Sequence, residues 1–190
     1  MNSIVASLLL ALCLVLPGRA ATIGEVSLPD TYPLPGQLLV VNGIGIRTLT
    51  IFSVRAYVAG LYLPHKSQDA RAILASPERK VLLMQFLHSA SKAQVEQQYR
   101  EGETRNCGHG ECAPSDEADF ERLVAATPGA AVGDTLTYIF TSKGVRALSN
   151  NRLIGDFANP DLAFRLLAGF IGDKPPSEDL KRHLLGLTRG

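Results

Sequence analysis

Arg47 is the side chain whose surroundings most need explaining. It stands in Ile46-Arg47-Thr48-Leu49-Thr50-Ile51-Phe52, a β-branched and aromatic run that reads as a strand. Alternation puts it in phase with Leu49 and Ile51, and the opposite phase offers no better-solvated face. A guanidinium among apolar side chains loses hydration unless it gains an anion or carbonyl oxygens. Arginine also grips a carboxylate or phenolate with two parallel N–H donors. Tyr57 lies on the next strand, in phase with Leu61 and Leu63. It offers a phenolic hydroxyl to the same anion if odd-numbered residues pair with odd ones across the hairpin. The competing reading places Arg47 at a strand end, reaching solvent or an internal Asp, and the strand pattern alone does not separate the two.

A second chemical cluster is Asn106-Cys107-Gly108-His109-Gly110-Glu111-Cys112. Two thiols and an imidazole suit zinc or copper, yet a fourth ligand would have to come from elsewhere in the chain. A disulfide between Cys107 and Cys112 is the expectation, with both glycines allowing the tight turn of a short bridge. No metal and no cofactor is expected. Gly43-Ile44-Gly45 opens like a dinucleotide fingerprint but lacks the third glycine and the helix that must follow, so these read as turn glycines. No serine sits in a nucleophile elbow. His65, His88, His109 and His183 are scattered and read as surface or loop residues.

The elements that must position these groups follow from periodicity and punctuation. Residues 21–36 hold Pro29, Pro33, Pro35 and Gly36 and read as an irregular lead-in. Gln37 to Asn42 reads as a strand, Asn42-Gly43 as a turn, Ile46 to Phe52 as a second strand and Val54 to Leu63 as a third. A short helix over Asp69–Ser76 and a strand over Lys80–Leu87 follow. Ser91, with Gln94 three residues on, opens a helix through Val95, Gln98 and Tyr99 toward Gly102 or Asn106. After the cysteine loop, Ser115 or Asp116 caps a helix carrying Phe120, Leu123 and Val124. Thr135–Thr141 and Val145–Leu148 form a hairpin, Arg152–Phe157 an edge strand, and helices begin at Asn159-Pro160 and Ser177. Strands do not alternate with single helices, so the expected class is α+β: an antiparallel sheet with helices on one face, in one domain without repeats or linkers.

The bulk numbers narrow the function classes. Ile4–Leu16 is almost wholly apolar, and Gly18-Arg19-Ala20 supplies small residues at a cleavage site, so residues 1–20 read as a signal peptide and 21–190 as the mature domain, exported to a periplasm or medium. The alternative is an uncleaved anchor. Losing Arg19 balances the 19 basic against the 18 acidic residues, which leaves no electrostatic footprint for nucleic acid or an anionic membrane.

Asn42-Gly43-Ile44-Gly45-Ile46-Arg47 and Val54-Arg55-Ala56-Tyr57-Val58-Ala59-Gly60-Leu61-Tyr62-Leu63-Pro64 resemble the opening strands of chalcone-isomerase-fold proteins. The likeness continues in Val81–Phe86, Phe170–Pro175 and Asp179–Gly186, and is strongest to the bacterial chalcone-isomerase-like family. The resemblance implies an open-faced β-sandwich, a large antiparallel sheet with helices layered on one face and a ligand cleft between. It implies an anion site at Arg47 and Tyr57 that holds the carboxylate of a fatty acid or another small apolar acid without turning it over. The alternative is an intramolecular lyase closing a chalcone to a flavanone, with Arg47, Tyr57, Tyr99 and Asn106 as candidate catalytic residues. The plant isomerases of the family carry Thr where this chain has Tyr57, which favours acid binding.

Overall fold

The computed structural model describes residues 20–23, 26–49, 53–107 and 114–187. Nine strands and five helices run in chain order among them. The strands are β1 (Ala20–Ile23), β2 (Val26–Pro29), β3 (Thr31–Leu34), β4 (Gln37–Leu49), β5 (Val54–Leu63), β6 (Lys80–Phe86), β7 (Thr135–Thr141), β8 (Gly144–Ser149) and β9 (Arg152–Phe157). The helices are α1 (Ala70–Ala75), α2 (Lys92–Cys107), α3 (Pro114–Ala126), α4 (Pro160–Ile171) and α5 (Glu178–Leu184). Strands β3 to β9 form one seven-stranded sheet in sequence order, every neighbour antiparallel. Two-residue turns join β3 to β4, β7 to β8 and β8 to β9, while α1 lies in the β5–β6 connection and α2 and α3 in the β6–β7 connection.

The helices gather on one face of the sheet. Ala59, Leu61 and Leu63 of β5, Leu82 and Met84 of β6, and Leu136, Tyr138 and Phe140 of β7 alternate onto that face and form the main core with α3, α4 and α5. Residues of the opposite phase, among them Tyr62 and Val81, form a smaller cluster with Leu39 and Val41 on the other face. The β1–β2 pair leans on that second face: the Tyr62 hydroxyl donates to the Pro29 carbonyl at 2.9 Å, and Leu28 comes so close to Gly60 that a Cβ there would meet it at 2.9 Å.

Helix boundaries follow local chemistry. Asp69 caps α1 and Asn159 caps α4, each accepting from backbone N–H groups of the first turn. Ser91 and Gln94 form a reciprocal capping box: Ser91 N–H donates to Gln94 Oε1 at 2.8 Å and Gln94 N–H to Ser91 Oγ at 3.3 Å. Ser177 caps α5 by accepting from Leu180 N–H at 3.3 Å.

Two expectations are corrected. The proline-punctuated stretch 21–36 is not irregular; it forms β1, β2 and β3. Pro33 is tolerated because β3 is an edge strand, where one missing donor faces no neighbour. Asn42-Gly43 is not a turn either, since β4 runs unbroken from Gln37 to Leu49 through it. A register shift between Val41 and Gly43 reverses the strand's facing, so Val41 joins the far cluster while Gly43 and Gly45 lie against α5. A Cβ on Gly43 would sit 2.0 Å from the His183 carbonyl oxygen, so this glycine permits close helix packing. The buried Asn42 amide donates to Ser67 O at 2.9 Å and Leu184 O at 2.8 Å and accepts from Ser67 N–H at 2.7 Å. It pins a loop and the last helix to the sheet, which explains a fully satisfied buried amide in mid-strand.

Candidate ligand cavity

Between the sheet's helix-bearing face and the helices lies a cavity of about 370 Å³. Its apolar wall comes from Met84, Phe86 and Leu136 on the sheet and Val95, Leu166 and Phe170 on the helices. The α2 residues Val95, Tyr99, Gly102 and Asn106, at successive spacings of three and four, place one stripe of that helix along it. Two mid-helix glycines face the space, Gly102 and Gly169. A Cβ on Gly169 would meet nothing within 4 Å, and one on Gly102 only Arg105 Nη2 at 3.8 Å.

The register settles which strand residues share this face. Arg47 pairs directly with Tyr57, and Tyr57 with Phe86. Paired residues project to the same side, so Arg47 stands beside Tyr57 on the helix-bearing side. A second register shift follows Arg47, and beyond it Leu49 pairs with Val54, both lining the cavity. Arg47 Nη1 donates to the Thr48 carbonyl at 2.9 Å. Tyr57 meets Phe86 edge-on, with ring centroids 6.1 Å apart.

The polar lining of the cavity is rich in donors, with the Glu103 carboxylate as an acceptor among them. Burial pushes the Tyr57 phenol up to about 12, against the pull of the Arg47 and Arg105 charges and with a smaller push from Tyr99. Burial also raises Tyr99 and Tyr138, whose hydroxyls bond to each other. Tyr99 Oη further contacts Thr127 Oγ1 at 3.2 Å. All three phenols are therefore neutral at ordinary pH; Thr127 Oγ1 donates to Leu123 O, so the protons of Tyr99 and Tyr138 are taken up within the Thr127–Tyr99–Tyr138 chain, and Tyr57 is the phenol able to donate to an anion. Arg105 and Arg165 line the same space, and Arg105 Nε and both Arg165 Nη atoms are buried without hydrogen-bond partners among the described residues. The arrangement can bind a carboxylate or stabilise a phenolate or enolate.

Of the residues singled out from sequence, Tyr57, Tyr99 and Asn106 line the cavity and Arg47 flanks it across from Tyr57. Asn106 turns its amide back onto its own helix, donating to Gly102 O at 2.9 Å. Cys107 closes α2, whereas His109 and Cys112 lie outside the described residues. Among the described residues no group of three His, Cys, Asp or Glu could hold a metal, and no helix is long and apolar enough to cross a membrane. Sequence reasoning missed Arg105, Arg165 and Tyr138. Arg165 carried a signal, since it interrupts the apolar run Leu162-Ala163-Phe164-Arg165-Leu166-Leu167. Arg105 and Tyr138 carried none, because a basic residue near a helix end and a tyrosine in a strand are ordinary.

A family model described as chalcone isomerase-like matches residues 20–186. Among solved structures the fold is similar to a fatty-acid binding protein of Arabidopsis thaliana, with a TM-score of 0.71 at 12% identity over 88% of this chain and 96% of that one. No curated protein matches the sequence.

Proposed function

Because the chain belongs to the chalcone isomerase-like family, we propose that it binds a fatty acid or similar small apolar acid in the helix-covered cavity without turning it over. One observation carries this reading: an apolar space of about 370 Å³ has guanidinium donors and the neutral Tyr57 phenol at its edge, with Arg47 directly across from Tyr57. That combination suits an amphiphile with one anionic end, the chain gaining burial and the head gaining charge-assisted hydrogen bonds. The Arabidopsis protein of similar fold is a fatty-acid binding protein, which supports the reading.

The second reading is an intramolecular lyase that closes a chalcone to a flavanone. Its support is the convergence of Tyr57, Tyr99 and Asn106 on one cavity beside Arg47. One pair of assays separates the two. A fluorescent long-chain acid should titrate saturably and be displaced by the unlabelled acid but not by its methyl ester. A hydroxychalcone should lose absorbance no faster than it does spontaneously. Acceleration by several orders of magnitude, without uptake of the acid, would establish the lyase instead.

Export with cleavage after Ala20 and a Cys107–Cys112 bridge complete the proposal. N-terminal sequencing of the extracytoplasmic protein, and thiol titration of the unfolded, unreduced protein, would refute them by finding an intact Met1 or two free thiols.

A further inference from the structure

The cavity carries a second polar pair on the far flank of α2. Arg165 of α4 and Glu103 of α2 both line it. The Arg165 side chain is only 11% exposed and lies over the Phe120 ring, 4.7 Å from its centroid. Its Nη1 and Nη2 are buried with no hydrogen-bond partner among the described residues. Nη2 stands 4.0 Å from Glu103 Oε1, a charge contact too long for a hydrogen bond. The other Glu103 oxygen is 3.5 Å from Arg100 Nη1. Unmet buried donors on a cation cost more than neutral ones, so the gap calls for an occupant.

The chemistry of that gap is selective. A carboxylate, carbonyl or ether oxygen accepts from Arg165 but faces Glu103 with a second acceptor. An ammonium donates to Glu103 but is repelled by Arg165. A hydroxyl accepts from the one and donates to the other. Two hydrogen bonds of about 2.8 Å, meeting at a bent angle on one oxygen, bridge such a gap.

The pair is also separated from the anion site. With the Val95–Tyr99–Gly102–Asn106 stripe facing the cavity, helical geometry puts Arg105 on one flank of α2 and Glu103 on the other. The Arg105 charge is felt by the Tyr57 phenol, so Arg105 belongs with Arg47, while Glu103 meets Arg165 on the opposite flank.

We propose that the ligand is a hydroxylated apolar acid, its carboxylate held at Arg47, Tyr57 and Arg105 and its hydroxyl seated between Arg165 and Glu103. This rests on the acid-binding reading above and narrows it to a substrate class. Without the pair, a hydroxyl buried in an apolar wall weakens binding, so the sign of its effect is informative.

The test is calorimetric titration of hexadecanoic acid and its monohydroxy counterparts, substituted near the carboxylate, at mid-chain and at the terminus. One hydroxy acid should bind the wild type about tenfold tighter than hexadecanoic acid, the worth of a hydrogen bond to charged groups. Arg165→Met keeps the packing on Phe120 and should erase that advantage, so that the hydroxy acid and hexadecanoic acid bind this variant alike. Glu103→Ala, at a less buried position, should cut the advantage as well and serves should Arg165→Met fail to fold. If every hydroxy acid binds no better than hexadecanoic acid, or the advantage survives loss of Arg165 or of Glu103, the proposal is wrong although acid binding stands. Failure of every acid to bind removes both.

Discussion

Across the β4–β5 ladder a guanidinium and a phenol stand side by side, and the guanidinium acts on the phenol. The Arg47 charge lowers the Tyr57 phenol, yet burial outweighs it and the net is a rise from 10.0 to about 12. The sign of the linkage is fixed by that rise. Between pH 10 and 12 the unfolded chain has released the Tyr57 proton and the folded chain still holds it, so stability is intact below pH 10 and falls as pH climbs through the window. The full loss at its upper end is roughly 2–3 kcal/mol. Denaturant midpoints measured from pH 9 upward should fall steeply for wild type and less steeply for Tyr57→Phe, with Tyr32, Tyr62, Tyr99 and Tyr138, all raised by burial, contributing to the slope that remains. Identical pH slopes in both proteins would mean that Tyr57 is solvated. At this scale the sequence exposed Arg47 and Tyr57 through alternation but left their pairing open. A register is a contact between strands, and one residue of slip would have sent Tyr57 to the other face.

The elements explain how space for a ligand survives folding. Gly169 lies within α4, where glycine is less favourable than alanine by about 1 kcal/mol. Nothing stands within 4 Å of the Cβ it lacks, and it lines the cavity, so no neighbour demands this glycine. Gly169→Ala should therefore raise stability by up to about 1 kcal/mol. Gly169→Leu should project into the cavity, leave the melting temperature unchanged or higher, and weaken uptake of a long-chain acid at least tenfold. Undiminished uptake by a stable Gly169→Leu protein would place the acid elsewhere. Gly43 is the opposite case, because the His183 carbonyl occupies the room a Cβ would need. Sequence could not separate the two kinds of glycine. Asn42-Gly43 read as a turn because turn chemistry is a local rule, while the partner of Asn42 at Leu184 lies 142 residues away. The Ser91–Gln94 capping box was legible for the converse reason: both halves of its bonding lie within one turn.

For the whole molecule, alternation in β5, β6 and β7 and helix caps at Ser91, Asn159 and Ser177 were enough to read an antiparallel sheet with helices on one face. A cleft was implied by the resemblance alone; its full lining was not legible, since Tyr57, Tyr99, Arg105, Tyr138 and Arg165 meet only after β5, α2, β7 and α4 have packed. The central claim is that this space holds an apolar acid by its charged end. Its most direct test is titration of hexadecanoic acid into wild type, Arg47→Ala, Arg47→Lys and Tyr57→Phe, with parallel thermal melts. The account predicts one acid per chain for wild type and affinity ten- to a hundredfold weaker in Arg47→Ala, the worth of about 1.5–3 kcal/mol for a charge-assisted bond. Arg47→Lys should recover only part, because an ammonium lacks the planar fork, and Tyr57→Phe should cost about 1 kcal/mol. Unchanged affinity in Arg47→Ala together with a large drop in its melting temperature would assign Arg47 to the fold and contradict the claim.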